Sequence, residues 1–301
     1  MMARPAIGID IGGTATKVVL VDASTGAIAA NRRLATQATD GPAATLARVA
    51  AVAAELGHAA PYPPRIGVAA PGNVDRAELV MLYVPVLGSE WAGTAVRDHL
   101  PASALLNDVQ AMTLAEWRLG AARGAATALC VALGTGVGGG LVIDGRLHLG
   151  VDDTAGAIGH STVEPCGTPC YCGNVGCLER YASGAAIALG AGTSDAADAA
   201  AAAIGGSRPA TEAFERAAFY LAVAIANACA LVTPDVVVIG GGVAAAGDLV
   251  MTPLRAELER RTRVVSMRAT RLRLAELGDG AGAVGAALAA ADAPNPTPED
   301  R

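Results

Sequence analysis

Four of the six cysteines lie within twelve positions, in the stretch Cys166–Cys177, and His160 precedes them by a few residues. Thiols this close together can form a disulfide, act as a redox pair or bind a metal ion. Three thiolates and one imidazole also make a closed tetrahedral zinc site of the Cys3His type. Gly173 and Gly176 would let the chain fold around such an ion, so a structural metal site stands beside the other two interpretations.

The cellular compartment bears on this choice. No N-terminal apolar segment resembles a signal peptide, and no run of about 18 or more apolar residues is typical of a transmembrane helix. We therefore expect a cytoplasmic protein with no membrane partner, in which thiols stay reduced and disulfides are disfavoured. Cys130 and Cys229 lie in apolar runs and are expected to be small core residues.

Three glycine-rich turns each follow a hydrophobic strand pattern, near residues 12, 136 and 241. Glycine lets backbone N–H groups approach an anion closely, so three such turns in one chain indicate the binding of nucleotide phosphates. We expect the first two turns, each within a hairpin, to hold the β- and γ-phosphates from two sides. The third turn would then hold the adenosine end.

Two of these turns partly match a dinucleotide-binding fingerprint. Gly134–Gly139 has the spacing G-x-G-x-x-G, but a strand pattern follows it where the fingerprint requires a helix. Gly240–Ala245 has the looser spacing and precedes a helix pattern, but the acidic residue expected about 20 residues later is missing. The sequence therefore does not predict a dinucleotide site.

Composition excludes one class of partner. The chain has 301 residues, a net charge of −6 and a pI of about 5.2, so no basic surface for nucleic acid is indicated. The one cationic segment, Arg255–Leu274, has a helix pattern followed by a strand pattern and is expected to be a solvated face. Hydrophobic residues make up 52% of the chain, which is enough for a large core or two domains.

Hydrophobic periodicity places these motifs on an alternating series of strands and helices. The pattern of strand, glycine turn and strand occurs twice, which suggests two related halves. A strand at Ser103–Asp108 leads into an amphipathic helix at Val109–Gly120. The alanine-rich stretch 182–230 is mostly helical, with breaks at Gly190–Ser194 and Gly205–Pro209. Further helices are predicted at Ala44–Gly57 and Ala281–Ala291.

Five segments together resemble the ROK family of sugar kinases and transcriptional repressors. They are DIGGTATK (Asp10–Lys17), APGNVD (Ala70–Asp75), LLNDVQA (Leu105–Ala111), GTGVGGGLVIDG (Gly134–Gly145) and IGHSTVEPCGTPCYCGNVGCLE (Ile158–Glu179). The resemblance implies an α/β chain with the actin-like, hexokinase-type ATPase fold, which is ribonuclease H-like, in two domains around a central cleft. The family's repressors carry an N-terminal winged-helix domain, for which no room precedes Asp10. The resemblance therefore favours the kinase branch.

The domain boundaries follow from this resemblance. Residues 1–108 would form the N-terminal domain, completed by the C-terminal helix 281–292. Residues 109–280 would form the larger domain, which carries the cysteine loop. Residues 293–301 are Pro-rich and polar and are expected to be a disordered tail.

The resemblance also implies roles for individual residues. Asp108 would be the catalytic base, and Asp10 would contact Mg²⁺ through water. The implied sugar contacts are Asn107, His160, Glu179 and Gly72. The implied contacts to ATP and its Mg²⁺ are Asp10, Gly12, Gly13, Thr14, Lys17, Gly134, Thr135, Gly136, Gly138, Gly241 and Gly242. The implied ligands of a structural Zn²⁺ are His160, Cys170, Cys172 and Cys177, with Cys166 as an alternative to His160.

Each acidic residue also has a simpler interpretation. Asp108 stands where a strand pattern ends and a helix pattern begins, which is where an N-cap aspartate is favoured. Asp10 could stabilise its turn, and Glu179 could be a surface acid at the start of a helix.

Two positions depart from the family pattern. Ala157 stands where the family's glucose kinases have a glutamate that contacts the sugar ring, and Val86 stands where an asparagine is common. We expect transfer of the γ-phosphate of ATP to a hexose hydroxyl, with glucose giving glucose 6-phosphate as the first candidate. An N-acetylated sugar of the N-acetylmannosamine type, a cyclitol, and a non-catalytic sugar sensor remain alternatives. A homodimer or homotetramer is expected.

Overall fold

The computed structural model describes residues 4–261 and 270–294. Its strands are β1 (Pro5–Ile11), β2 (Ala15–Asp22), β3 (Ala27–Ala35), β4 (Arg65–Ala70), β5 (Asn73–Asp75), β6 (Val80–Tyr83), β7 (Thr94–Ala95), β8 (Ala102–Asn107), β9 (Ala128–Leu133), β10 (Val137–Ile143), β11 (Arg146–His148), β12 (Val236–Gly240) and β13 (Arg271–Leu274). Its α-helices are α1 (Pro42–Gly57), α2 (Asp108–Leu119), α3 (Glu179–Ala182), α4 (Gly184–Ala191), α5 (Ala196–Ile204), α6 (Arg208–Val232), α7 (Asp248–Arg261) and α8 (Ala281–Asp292).

Two five-stranded sheets have the same topology. The first has the order β3-β2-β1-β4-β8, and the second has the order β11-β10-β9-β12-β13. In each sheet an antiparallel hairpin comes first along the chain, β1–β2 or β9–β10, and the first strand of that hairpin then pairs in parallel with a later strand. The prediction of two related halves is confirmed, and with it the α/β fold class.

The chain divides into two compact units. One contains residues 4–119, 149–154 and 280–294, and the other contains residues 120–148 and 155–279 where described. This division differs from the predicted one in two respects. Helix α2, which was assigned to the second domain, belongs to the first unit because it packs against α8. The short segment 149–154 also returns to the first unit.

Helix α8 completes the first unit by an unusually close approach to the sheet. An added Cβ would lie 1.7 Å from the carbonyl oxygen of Ala283 if placed on Gly8, and 2.0 Å from that of Ala286 if placed on Gly67. Strands β1 and β4 therefore need glycine where the α8 backbone crosses them. The sequence of α8 is rich in alanine and glycine, so most of its side chains are small and its backbone can pack closely against the strands.

Three arginines hold the C-terminal end of α8. Arg4 donates to the carbonyl of Ala291 at 2.7 Å, and Arg65 donates to the carbonyl of Ala290 at 3.2 Å. Arg118 donates to the carboxylate of Asp292 at 2.8 Å. Cations at this end satisfy carbonyls that lack helical partners and oppose the helix dipole.

The second unit has a core of α3–α7 packed on its sheet. Within the described residues, α6 is the one helix long and apolar enough to cross a membrane by length and composition. Residues along it, such as Phe214, Leu221 and Ile225, are buried in the core of this unit. Because a core helix passes the same test, the finding is weak support for a membrane span.

Several elements differ in detail from the sequence predictions. Strand β3 and the small sheet β5-β6-β7 were not predicted. A 3₁₀ turn at Gly242–Ala246 separates β12 from α7, which begins only at Asp248. The middle of the cationic segment 255–274 and the tail beyond residue 294 lie outside the described residues.

Candidate active site and metal centre

The first group of predicted site residues lies at one edge of the first sheet. Strands β1, β4 and β8 run parallel, so their carboxyl ends meet at the same edge. Asp10 is near the end of β1, Gly72 follows β4, and Asn107 and Asp108 lie where β8 ends and α2 begins. Ligands of open α/β sheets bind outside the carboxyl ends of such strands.

Asp108 is the first residue of α2, and its carboxyl is partly buried. Burial disfavours its charged form, and the nearby negative charge of Asp10 acts in the same direction. Hydrogen bonds from the backbone and from Asn107 oppose these effects, but the pKa of Asp108 is raised from 3.8 to about 7. A carboxylate with a pKa near neutrality can accept and release a proton under physiological conditions.

Asn107 caps helix α2. Its side-chain oxygen accepts hydrogen bonds from the backbone N–H groups of Val109 at 2.9 Å and Gln110 at 3.2 Å. The capping role considered for Asp108 therefore belongs mainly to Asn107. The amide nitrogen of Asn107 also donates to the carbonyl of Gly72 at 3.0 Å, which leaves at most one N–H for a sugar hydroxyl.

The first glycine hairpin joins β1 to β2 and is held in place by Thr36. Its hydroxyl donates to the carbonyl of Gly12 at 2.6 Å, and its N–H donates to the carbonyl of Thr14 at 3.0 Å. Lys17 pairs with Asp10 across the two strands, with Nζ at 3.7 Å from Oδ2. The ion pair places a cation and a carboxylate side by side at the base of the turn.

Two further residues of the first unit approach this hairpin. A Cβ added to Gly13 would lie 2.6 Å from Cγ1 of Val86, so the exposed valine lies directly against the turn. The sequence analysis had noted Val86 only as a departure from the family pattern. A Cβ added to Gly282, in the first turn of α8, would lie 2.9 Å from Cγ of Asp10. The positive end of the α8 dipole therefore faces the Asp10 carboxylate.

The second glycine hairpin joins β9 to β10 in the second unit. The N–H of Gly134 donates to the carbonyl of Gly136 at 2.9 Å and closes the turn, with Thr135 at its tip. Strand β10, starting at Val137, follows the turn directly, so the rejection of the dinucleotide fingerprint here is confirmed.

The third glycine turn follows β12 in the same sheet. Gly241 has a φ of 83°, and an added Cβ would lie 2.4 Å from the carbonyl oxygen of Leu133, at the end of β9. Gly242 begins the 3₁₀ turn that leads towards α7, and Gly138 lies in β10 next to β9. The second and third turns therefore follow adjacent strands of one sheet.

His160, Cys170, Cys172 and Cys177 come together in the second unit. Their candidate ligand atoms all lie within 4.8 Å of one another. The Sγ atoms of Cys172 and Cys177 are 3.6 Å apart, and Sγ of Cys170 is 3.8 Å from Nδ1 of His160. Ligands about 2.3 Å from a tetrahedral zinc ion lie about 3.8 Å apart, so the cluster fits such an ion closely.

The loop geometry supports this fit. Gly173 and Gly176 have φ values of 90° and 72°, so each adopts the left-handed conformation that turns the chain. Cys166 is exposed and is not part of the cluster. Burial raises the pKa of the Cys177 thiol to about 12, so metal binding would have to displace its proton.

The second nitrogen of His160 points away from the sulfurs. Its Nε2 lies 3.4 Å from the hydroxyl of Tyr171, and the two rings meet edge to face. The resemblance implied a sugar contact and a zinc ligand at His160, and it did not indicate Tyr171 as a neighbour of this ring. The carbonyl of Ala157 accepts the N–H of His160 at 3.0 Å. Ala157, the residue that differs from the family pattern, therefore lies one turn before the first residue of the His and Cys cluster.

Glu179 contacts the second glycine hairpin. Its Oε2 accepts the backbone N–H of Val137 at 2.9 Å. The predicted sugar contact therefore already has one oxygen bound to the turn. No pattern in the sequence indicates this contact, because the two residues lie 42 positions apart.

The chain is similar to known proteins over nearly its whole length. The model of the ROK family matches residues 6–293. A glucokinase from Halalkalibacterium halodurans is 33% identical, over 95% of this chain and 94% of that protein. An N-acetylmannosamine kinase from Shigella boydii is 36% identical, over 79% of this chain and 82% of its own.

Among solved structures, a ROK family glucokinase from Streptomyces griseus in complex with glucose and AMPPNP has a TM-score of 0.80. Its sequence is 30% identical, over 94% of this chain and 98% of that chain. Since the family model, the sequence relatives and the fold all agree over nearly the whole length, the chain belongs to the ROK family.

Proposed function

We propose that the protein is an ATP-dependent hexose kinase that transfers the γ-phosphate to a sugar hydroxyl, with glucose as the first candidate. The observation that carries this proposal is the placement of Asp10 and Asp108 at the carboxyl edge of parallel strands, beside a glycine hairpin. The glucokinase relatives and the structure solved with glucose and AMPPNP support the same activity.

The chemistry assigned to Asp108 is that of a general base. As the sugar oxygen attacks the γ-phosphorus, the carboxylate accepts the hydroxyl proton, and the bond between that phosphorus and the β,γ-bridging oxygen breaks to release ADP. A pKa of about 7 suits this role, because the ionised form is well populated at neutral pH and can still bind a proton.

The phosphates are held by the glycine turns in this proposal. Backbone N–H groups at Gly13–Thr14 and Thr135–Gly136 would face the β- and γ-phosphate oxygens, with Lys17 adding a positive charge, and the turn at Gly241–Gly242 would hold the adenosine end. Asp10 would bind Mg²⁺ through water. That ion supplies neutralisation of the charge that develops on the transferred phosphoryl group.

The sugar would be bound by polar groups of Asn107, Gly72, Glu179 and His160. Asn107 and Gly72 lie side by side, because the Asn107 amide donates to the Gly72 carbonyl. Glu179 and His160 would add an acceptor and a donor, with Tyr171 next to His160.

The cysteine cluster is assigned a structural zinc ion. The thiolates of Cys170, Cys172 and Cys177 and Nδ1 of His160 would hold it, and its binding energy would order a loop that has little core of its own. Zinc here supplies rigidity and takes no part in phosphoryl transfer.

Ala157 makes a second substrate class a specific candidate. A methyl group cannot accept a hydrogen bond from a ring hydroxyl, and a site that lacks such a contact discriminates weakly in favour of that hydroxyl. An N-acetylated sugar of the N-acetylmannosamine type is therefore the second candidate, and a 36% identical relative carries that name.

The test is ATP consumption by the purified protein against glucose, mannose, fructose, N-acetylmannosamine, N-acetylglucosamine and cyclitols. We expect Asp108→Asn to lower turnover by about a thousandfold while sugar binding persists, because only the proton acceptor is lost. Asp98→Asn, at an exposed carboxylate, is the matched control. Turnover by Asp108→Asn at the wild-type rate would refute the base assignment, and silence of the wild type across the panel would favour the sugar sensor.

We also propose a homodimer or homotetramer that works in the cytoplasm. Leu189, Ile204 and Leu231, on helices of the second unit, are 84%, 79% and 84% exposed. Large apolar side chains with this much exposed surface would be stabilised by burial at a subunit interface. Sedimentation analysis of the purified protein would show a single monomeric species if this proposal is wrong.

A further inference from the structure

The short segment Glu179–Gly184 forms hydrogen bonds with both ends of the turn of the second glycine hairpin. The carbonyl of Gly134 accepts the N–H of Gly184 at 2.8 Å, and the N–H of Val137 donates to Oε2 of Glu179 at 2.9 Å. Glu179 and Gly184 begin consecutive helices, α3 and α4. The four-residue turn is therefore tied to the beginning of each of these two helices.

The contact with Glu179 is built into the hairpin. A Cβ added to Gly136 would lie 2.3 Å from the same Oε2 atom, so the carboxylate occupies the space that a side chain at this position would take. A hydrogen bond with an ionised acceptor is stronger than one between neutral groups. The carboxylate thus fixes the N–H that directly follows the predicted phosphate-binding residues.

Two of the four predicted metal ligands, His160 and Cys177, lie within two positions in sequence of residues that contact Val137 of the hairpin from two sides. Cys177 precedes Glu179 by two residues, so its ligation would fix the start of α3. Gly159, the neighbour of His160, packs so closely that an added Cβ would lie 1.8 Å from the carbonyl oxygen of Val137. The N–H of Val137 is therefore contacted by Glu179, which follows Cys177 by two residues, and its carbonyl is contacted by Gly159, which precedes His160.

We infer that Glu179 is a positioning residue for nucleotide, which transmits the order of the metal cluster to the phosphate-binding hairpin. This goes beyond its assignment as a sugar contact, and it rests on the proposed function because it assumes that the hairpin binds ATP phosphates. Two consequences follow. Nucleotide affinity depends on Glu179 when no sugar is present, and it depends on the metal through the same residue.

The first test is calorimetric titration of the zinc-loaded, full-length protein with Mg²⁺ and AMPPNP in the absence of sugar. Glu179→Ala should raise the Kd for AMPPNP about tenfold or more, as expected for loss of a hydrogen bond with a charged acceptor. Glu179→Gln keeps an acceptor oxygen and should stay within about threefold of wild type. Arg180→Ala, at an exposed position of the same helix, is the matched control.

An unchanged Kd for Glu179→Ala, with only the KM for sugar altered, would overturn the inference and leave Glu179 as a sugar contact. Zinc content and the thermal unfolding midpoint of each variant show whether it is folded, and chelation of the wild type keeps the inference falsifiable if the alanine variant is not, because an unchanged Kd after chelation would contradict it. Absence of AMPPNP binding by the wild type would overturn the proposed function as well, so the two failures are distinguishable.

The second test removes the metal by chelation and repeats the titration. In the wild type, chelation should raise the Kd for AMPPNP, and in Glu179→Ala it should add little, because the connection is already broken. Equal, additive effects of chelation in the two proteins would contradict transmission through Glu179. Circular dichroism of the chelated protein distinguishes local loosening from global unfolding.

Discussion

The raised pKa of Asp108 predicts that the proposed catalytic base destabilises the protein at neutral pH. In the unfolded chain this carboxyl should lose its proton near pH 3.8, whereas in the folded protein it does so near pH 7. Between these values the folded state binds a proton that the unfolded state has released. The contribution of Asp108 to stability is therefore most favourable below pH 4, falls as the pH rises, and is constant above about pH 8.

The magnitude follows from the size of the shift. Each pH unit corresponds to about 1.36 kcal/mol, so the change from 3.8 to about 7 gives a ceiling of about 4 kcal/mol. Because the effective dielectric constant inside proteins is higher than that of a dry interior, we expect about 2 to 4 kcal/mol. Asparagine has the same shape and no charge, so Asp108→Asn should be stabilised by this amount at pH 8 and match the wild type near pH 4.

Scanning calorimetry of both proteins from pH 4 to pH 8 measures the effect. The difference in unfolding midpoint should grow with pH and reach several degrees at pH 8. Asp98→Asn controls for the loss of one charge at an exposed site. A difference that stays constant across the range, or a variant that is less stable at pH 8, would refute the reasoning. The same variant should be inactive. Asp108 would then be a residue that supports activity while it lowers the stability of the folded protein.

Other perturbations test the metal site, the specificity position and the packing of α8. Cys172→Ser should lower the bound zinc and the thermal midpoint together, measured by metal analysis and calorimetry, and full activity without zinc would contradict a structural site. Ala157→Glu should lower the KM for glucose about tenfold by restoring an acceptor, as measured by coupled assay, and an unchanged KM would show that the position does not contact glucose. Gly67→Ala should cost about 3 kcal/mol in denaturant unfolding, since its Cβ would meet the backbone of α8, and a neutral result would disprove that approach.

Local patterns predicted much of the fold. Apolar runs interrupted by glycine identified both hairpins, and their repetition indicated two related halves, which the matching strand orders confirm. Strand β3 was missed because most of its residues are exposed and its apolar and polar residues do not alternate, so its pattern carries little periodicity. Strands β5 to β7 are only two to four residues long, which is too short for a periodic signal.

The candidate site was predicted as a set of residues but not as a set of contacts. The resemblance to the ROK family implied that His160 and three of the cysteines form one site, and their candidate ligand atoms lie within 4.8 Å of one another. The contact of Glu179 with Val137 and that of Val86 with Gly13 join distant parts of the chain, and nothing in residue type or spacing indicates them. The capping of α2 by Asn107, where Asp108 was the expected candidate, depends on one residue of register at the helix start.

The place of α8 along the chain sets the order in which the protein can mature during synthesis. Strands β1 and β4 are made first, but the glycine faces that α8 covers stay uncovered until residues 280–294 have left the ribosome. Nearly all of the second unit is synthesised in the interval and can fold as a body of its own. The first unit, whose strands β1 and β4 precede the second unit along the chain, is therefore finished after it, and the proposed base can acquire its native surroundings only after α8 has been synthesised.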